Sequence, residues 1–177
     1  VIPTVINSSQ IPATDFTLYD VVITVSDEST AYYTNISNNA PQFTNYVNGG
    51  GLVQYQMATQ GGTNVNLAGG GIMTYGNSQN QNTGLIPTHP ILTGLTNPLN
   101  GTSANHCYIS TLPPGSDIIT TTGTGNFPTT IEYELGNGSV VATGMTWEYL
   151  HTSTQNSAPL LGNATSYTFS KVNSIPD

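Results

Sequence analysis

Positive charge is nearly missing from this chain. Among 177 residues there is no arginine and one lysine, Lys171, against nine acids, for a net charge of −8. Charged residues make up 6% of the sequence, where an ordinary soluble domain carries roughly 25%. A nucleic-acid footprint needs clustered Lys and Arg, so DNA and RNA are excluded as partners. Attraction to anionic membrane surfaces fails on the same ground. Cysteine is equally scarce. Cys107 stands alone, so no intrachain disulfide can form, and a lone cysteine reads best as a small buried hydrophobe. No apolar run approaches the about 18 residues of a membrane helix, so no membrane insertion is expected. No secretory leader opens the sequence either, so a secreted chain of this kind is one already processed.

With charge so rare, solubility rests on Asn, Thr, Ser, Gln and Gly. Such a surface is polar but weakly self-repelling. It suits extracellular, wall-associated or self-associating proteins, although compositional bias of the source gives the same pattern. Sequons begin at Asn7, Asn35, Asn100, Asn137 and Asn163, and each is a glycosylation candidate if the protein is exported through a glycosylating route. The length fits one domain spanning residues 1–177, large enough for a sizeable core.

Along the chain, "VIPTVI" (residues 1–6) reads as a short strand. "DVVITVSD" (residues 20–27) is a β-branched run of the kind buried on both faces in a parallel sheet. Phe43, Tyr46 and Val47 at helical spacing predict a helix over residues 40–47, stopped by Gly49 and Gly50. "GLVQYQMA" is the next buried strand. Residues 61–88, rich in Gly, Asn and Gln, read as a long surface loop with one short helix or hairpin. "NHCYISTL" and "SDIITTTG" read as strands separated by the turn "PPGS". "PTTIEYELGNGSVVATGM" is a hairpin around Asn137-Gly138. A short helix is expected near residues 158–164, then a last strand or tail. Strands alternate with helices early and pair with one another later. That order predicts an α/β fold, its mostly parallel sheet flanked by helices and carrying an antiparallel hairpin extension.

The succession "YDVVITVSD", "YVNGGGLVQY", "HPILTGL", "LPPGSDIITT", "PTTIEYELGNGSVVATG" resembles the class I glutamine amidotransferase-like superfamily, and within it the extracellular branch of bacterial surface proteins. The resemblance covers residues 18–147. It implies a flavodoxin-like sheet with helices on both faces. Active members place a cysteine on a strained turn after the strand matching residues 51–56, where backbone amides stabilise an oxyanion. This chain has Met57-Ala58-Thr59-Gln60 there. Active members also carry a histidine and an acid after the last core strand. Glu148 matches the acid, the histidine is missing, and His151 lies three residues beyond. The resemblance therefore implies a scaffold without amidotransferase activity. It also implies a strand and helix ahead of "VIPTVI", so the chain reads as N-terminally incomplete. Without that first strand the sheet would hold two unpaired edges in its core. Residues 165–172, "TSYTFSKV", or a strand from a neighbouring subunit would fill the slot.

Other constellations carry a functional and a plainer reading side by side. Asp27 and Glu28 fall at the carboxyl end of a strand, where open α/β sheets bind ligands; they suit calcium or, more simply, an acidic helix cap. No other cofactor is expected. His89, His106 and His151 would hold zinc only if the fold converged them, and His89 before Pro90 reads as a turn cap. His106 and Cys107 are adjacent on a strand and so face opposite sides. Glu132 and Glu134 share one strand face, as an acid–base pair or as an exposed hairpin surface. Tyr32, Tyr33, Tyr55, Tyr75, Tyr149 and Trp147 suit a sugar-binding or subunit surface. Three functions follow. The first is a non-enzymatic, secreted or cell-surface structural protein that self-assembles into a homo-oligomer or polymer, such as a filament, sheath or layer. The second is a carbohydrate-binding module of a surface protein. The third is a hydrolase with a relocated site using Glu148 or Cys107.

Overall fold

The structure, a computed structural model, describes residues 2–58 and 62–172. One sheet runs through it in the order β1-β2-β8-β7-β6-β4-β3, with β5 paired to β4. β1 (Val21–Ile23), β2 (Leu52–Gln56) and β8 (Gly138–Thr143) are parallel, with Val22 beside Val53 and Val53 beside Val140. From β8 outward the pairing turns antiparallel through β7 (Pro128–Leu135), β6 (Asp117–Thr122) and β4 (Ile72–Gly84), with β3 (Val65–Asn66) and β5 (Leu99–Thr111) completing the far end.

Helices cover both faces. α1 (Thr30–Asn38) and α2 (Ala40–Asn48) bring Tyr33, Ile36, Phe43 and Val47 onto Val53, Tyr55, Tyr133 and Val140. Across the sheet, α3 (Trp147–His151) and α4 (Leu160–Val172) bring Trp147, Leu150, Leu160 and Ala164 onto Ile119 and Val141. β2 and β8 are buried at every position. Each is a short continuous run because no face of it meets water. No helix among the described residues is long and apolar enough to cross a membrane.

The glycines after α2 are steric requirements. A Cβ on Gly51 would stand 2.3 Å from the Tyr46 ring, whose hydroxyl donates to Tyr19 O at 2.9 Å. A Cβ on Gly138 would stand 2.2 Å from Gly51 O. The α2–β2 turn and the β7–β8 hairpin thus approach backbone to backbone. The hairpin is closed by Gly136 and Asn137, with Leu135 opposite Gly138 and Gly136 at φ 61°.

Four expectations are corrected. Residues 2–6 pair with no strand, and Ile2 and Val5 are 96% and 88% exposed. β1 is short and lies at the sheet's edge, so Ile23 and Val25 are partly exposed where burial on both faces was expected. Nearly half of the loop expected at residues 61–88 is β4, thirteen residues long, whose Gly, Asn and Gln content hides an antiparallel ladder to β5 interrupted by register shifts. Residues 165–172 are not a strand: Leu160, Ala164 and Thr168 bury one helical stripe of α4 at intervals of four. The sheet is continuous from β1 to β3 among the described residues, so no gap falls in its middle, and the outer side of β1 is one of its edges.

Candidate functional site

The loops leaving β1, β2 and β8 open at one end of the sheet, the carboxyl end of all three parallel strands. There they border a pocket of about 490 Å³. Open α/β sheets bind ligands at this end because helices leave it uncovered. Ser26 and Asp27 come from the β1 loop, Ala58 from the end of β2, and Thr146, Glu148, Tyr149 and Thr152 from the segment after β8. Ser103 and His106 arrive from β5, which reaches the pocket because His106 N donates to Gly144 O at 3.0 Å.

Local structure fixes each group. Glu148 stands in the first turn of α3, and its Oε2 accepts from Ser26 N at 3.0 Å, which ties the β1 loop to α3. Ser26 Oγ in turn accepts from Ala58 N at 3.3 Å. The hydroxyls of Tyr32 and Tyr33 on α1 accept from Val25 N at 2.9 Å and Glu28 N at 3.2 Å, so both rings serve as props for the loop. Burial pushes the Tyr32 hydroxyl up to about 12. Asp27 itself is left-handed at φ 59°, and Ser103 at φ 52°. The other two non-glycine residues of this kind among those described are asparagines, Asn77 and Asn126. Such a conformation costs a side chain roughly 1–2 kcal/mol, and held strain of this sort gathers at functional sites.

The pocket is acidic without a counter-charge. Burial pushes the Glu148 carboxyl above its ordinary value; the Ser26 amide opposes this, while Glu28 and Asp27 add to the rise. Burial lowers the His106 ring, with Asp27 opposing. Its Nδ1 is buried and makes no hydrogen bond. Among the described residues no serine or threonine hydroxyl is bonded to that ring. The Tyr149 ring is 57% exposed at the rim.

The remaining candidates lie elsewhere. Met57 and Ala58 are buried at the end of β2, and the Met57 thioether accepts from Thr24 Oγ1 at 3.2 Å inside the core. Thr59 and Gln60 lie outside the described residues. His89 is at the other helical face: its Nδ1 accepts from Ile91 N at 3.2 Å, which caps the turn Pro90–Leu92 and leaves Nε2–H to donate to Glu132 Oε2 at 2.8 Å. His151 ends α3, exposed, near Ala158 O. The three histidines do not converge, and no group of three or more His, Cys, Asp or Glu able to hold a metal occurs among the described residues, Asp27 and Glu28 included.

Glu132 is not on an exposed face, which corrects the surface reading of that pair. α4 covers it, and its carboxylate takes His89, the Tyr167 hydroxyl at 3.0 Å and the Lys171 ammonium; Glu134 is exposed, 3.2 Å from the same lysine. With every donor engaged, the pair is structural. Cys107 is buried in the core, opposite His106. Of the aromatic candidates, Tyr33, Tyr55 and Trp147 are buried, Tyr75 is exposed away from the pocket, and Tyr149 alone lines it. Among the sequons, Asn7, Asn100 and Asn137 are exposed. The Asn35 amide donates to Ser8 Oγ, and the Asn163 amide to Ile91 O and Thr93 O.

No model of a known protein family matches the chain. It is 31% identical over 170 residues to an uncharacterized protein of Clostridium acetobutylicum; the match covers 94% of this chain but spans only 18% of that protein's length. Among solved structures it is similar to a cytoplasmic protein of Salmonella typhimurium, with a TM-score of 0.54 and 14% identity over 86% of this chain and 73% of that one. It is also similar to a ThuA-like protein of Bacteroides uniformis, with a TM-score of 0.50 and 15% identity over 86% of this chain and 70% of that one. At such identities the likeness shows the fold, a flavodoxin-like α/β sheet.

Proposed function

We propose that this chain is a non-enzymatic module of a longer extracellular protein, built on a glutamine amidotransferase-like scaffold that lacks the catalytic set, and that its pocket takes a carbohydrate. The carrying observation is the exposed Tyr149 ring beside Asp27, Glu148 and the hydroxyls of Ser26, Ser103 and Thr146. A sugar offers an apolar ring face and several hydroxyls. An exposed aromatic stacks on the first, and carboxylates and hydroxyls bond the second. A core thioether at Met57 and an imidazole whose buried Nδ1 makes no hydrogen bond favour binding over turnover. The relative's much greater length favours a module over a free-standing protein. The test is retention on immobilised polysaccharides. Wild type is retained and Tyr149→Ala loses about tenfold in affinity, roughly 1.4 kcal/mol. Equal retention of the two proteins rejects the assignment of this pocket.

A second reading, the self-assembling subunit of a filament, sheath or layer, is favoured by the unpaired outer side of β1 and the uncovered Ile2 and Val5. Open strand edges invite pairing with another chain. Negative-stain microscopy and sedimentation of concentrated protein test it. Assembly that stops when residues 1–6 are deleted supports strand exchange; assembly unaffected by that deletion removes this segment as the cause.

A further inference from the structure

We infer that the ligand of this pocket carries a positively charged amine, and that it is a hydroxyl-rich ammonium compound of the amino-sugar class, its nitrogen set between Asp27 and Glu148. This rests on the carbohydrate reading above and adds a charge to it. Asp27 and Glu148 line the pocket, and Glu28 is close enough to act on Glu148. No lysine or arginine lines it. The chain's lysine is engaged with Glu132 and Glu134 beneath α4. The one basic group present, His106, is held toward its neutral form by burial.

The half-buried Glu148 and the exposed Asp27 and Glu28 are grouped without a cation, so they repel one another, and Glu148 loses water when anything fills the pocket. A neutral sugar would bring hydroxyls and leave that repulsion in place. An ammonium removes it and brings three donors and no acceptor, which matches a lining rich in acceptor oxygens: two carboxylates and the hydroxyls of Ser26, Ser103 and Thr146. The exposed Tyr149 ring adds a face to which a cation is drawn. The Glu148 oxygen that accepts from Ser26 N is fixed in direction by that bond, so the second oxygen is left for the ligand.

The experiment is an NMR titration of the whole chain with three tetrasaccharides of one linkage: glucosamine, N-acetylglucosamine and glucose. The expected result is binding of glucosamine about tenfold tighter than either neutral compound, with shifts at Tyr149 and His106. In the double variant Asp27→Asn, Glu148→Gln the ratio of glucosamine to neutral-sugar affinity falls to within about twofold. Both changes are mild for the fold, since asparagine tolerates the left-handed conformation and glutamine still accepts from Ser26 N. Equal binding of all three sugars by wild type overturns the charge assignment and leaves the carbohydrate reading standing. A preference that survives in the double variant also overturns it, because the amine is then drawn by the chain's net charge and not by this pair. Absence of binding by all three overturns both.

Discussion

Replacing Glu132 by glutamine removes the centre of the charged cluster between β7 and α4, and the structure sets the size of the loss. The carboxylate accepts from His89 at 2.8 Å, from Tyr167 at 3.0 Å, and from Lys171, with the Glu132 and Lys171 side chains 10% and 19% exposed. Lys171 also lies 5.3 Å from the centre of the Tyr167 ring. Breaking a fully buried ion pair costs about 3–5 kcal/mol. Residual solvent and the nearby Glu134 reduce that here to about 2–3 kcal/mol, or roughly 4–12 °C in Tm for a domain of this size. Burial acts to raise the Glu132 carboxyl, but the bonds from His89, Lys171 and Tyr167 and the lysine's charge outweigh it and leave it below 4.5. A carboxyl lowered on folding contributes stability above its unfolded value and loses it as pH falls through the folded one. The Lys171 ammonium, lowered by burial but raised further by Glu132, ends near 12 against 10.5. A raised lysine contributes fully below 10.5 and loses that contribution as pH climbs through 12. Urea denaturation of wild type and Glu132→Gln across pH should therefore show a constant gap between about pH 5 and 10 that closes at both ends. A gap under about 0.5 kcal/mol at pH 7, or one that persists undiminished at pH 3, refutes the pairing as the source of stability.

Three further outcomes are expected. Glu148→Gln should behave oppositely, raising stability at pH 7 by about 0.5 kcal/mol, because the folded state raises this carboxyl and its contribution is lost as pH climbs through that value; chemical denaturation at pH 4 and 7 reads the reversal. Gly138→Ala should cost about 3 kcal/mol or prevent folding, since its Cβ would meet Gly51 O at 2.2 Å, and urea midpoints compare it with Gly162→Ala, where nothing lies within 4 Å. Cys107, wholly buried, should react with a thiol reagent only in denaturant, and labelling of the native protein within minutes would show that the β5 core opens.

Much of the fold is legible in the sequence because its strongest signals are steric or continuous. β2 and β8 are short runs centred on Val, Leu and Tyr and buried on both faces, and the glycines that end α2 and shape the hairpin mark backbone contacts. β4 escapes notice because its outward side chains are Asn, Gln and Thr, which carry the alternation of a strand without its hydrophobicity. α4 misreads as a strand because Tyr167 and Phe169 alternate with Ser166, Thr168 and Ser170, while the stripe that decides the matter is Leu160, Ala164 and Thr168. Of the pocket, Asp27 is visible at a strand end and Glu148 through a resemblance. His106 and Ser103 are not visible in this role, since β5 meets the segment leaving β8 through a few irregular contacts, among them the bonds of His106 N to Gly144 O and Thr146 N to Ala104 O and the bridge between Asn105 and Met145. No local signal in the sequence announces that contact.

The two glutamates, read together, separate stability from function. At 132 the chain has gathered a lysine, a histidine and a tyrosine around one carboxylate, and folding gains from the charge. At 148 the carboxylate has one backbone amide, two acidic neighbours and a pocket in front of it. Glutamine there would keep the amide's acceptor and remove the repulsion, so folding alone gives no reason for an acid at that position. The same holds for the left-handed backbone at Ser103, where glycine would relieve the strain. Two uphill features facing one cavity are accounted for together if something binds there. A binding partner that supplies positive charge turns the acid at 148 from a liability of the free chain into an attraction in the complex.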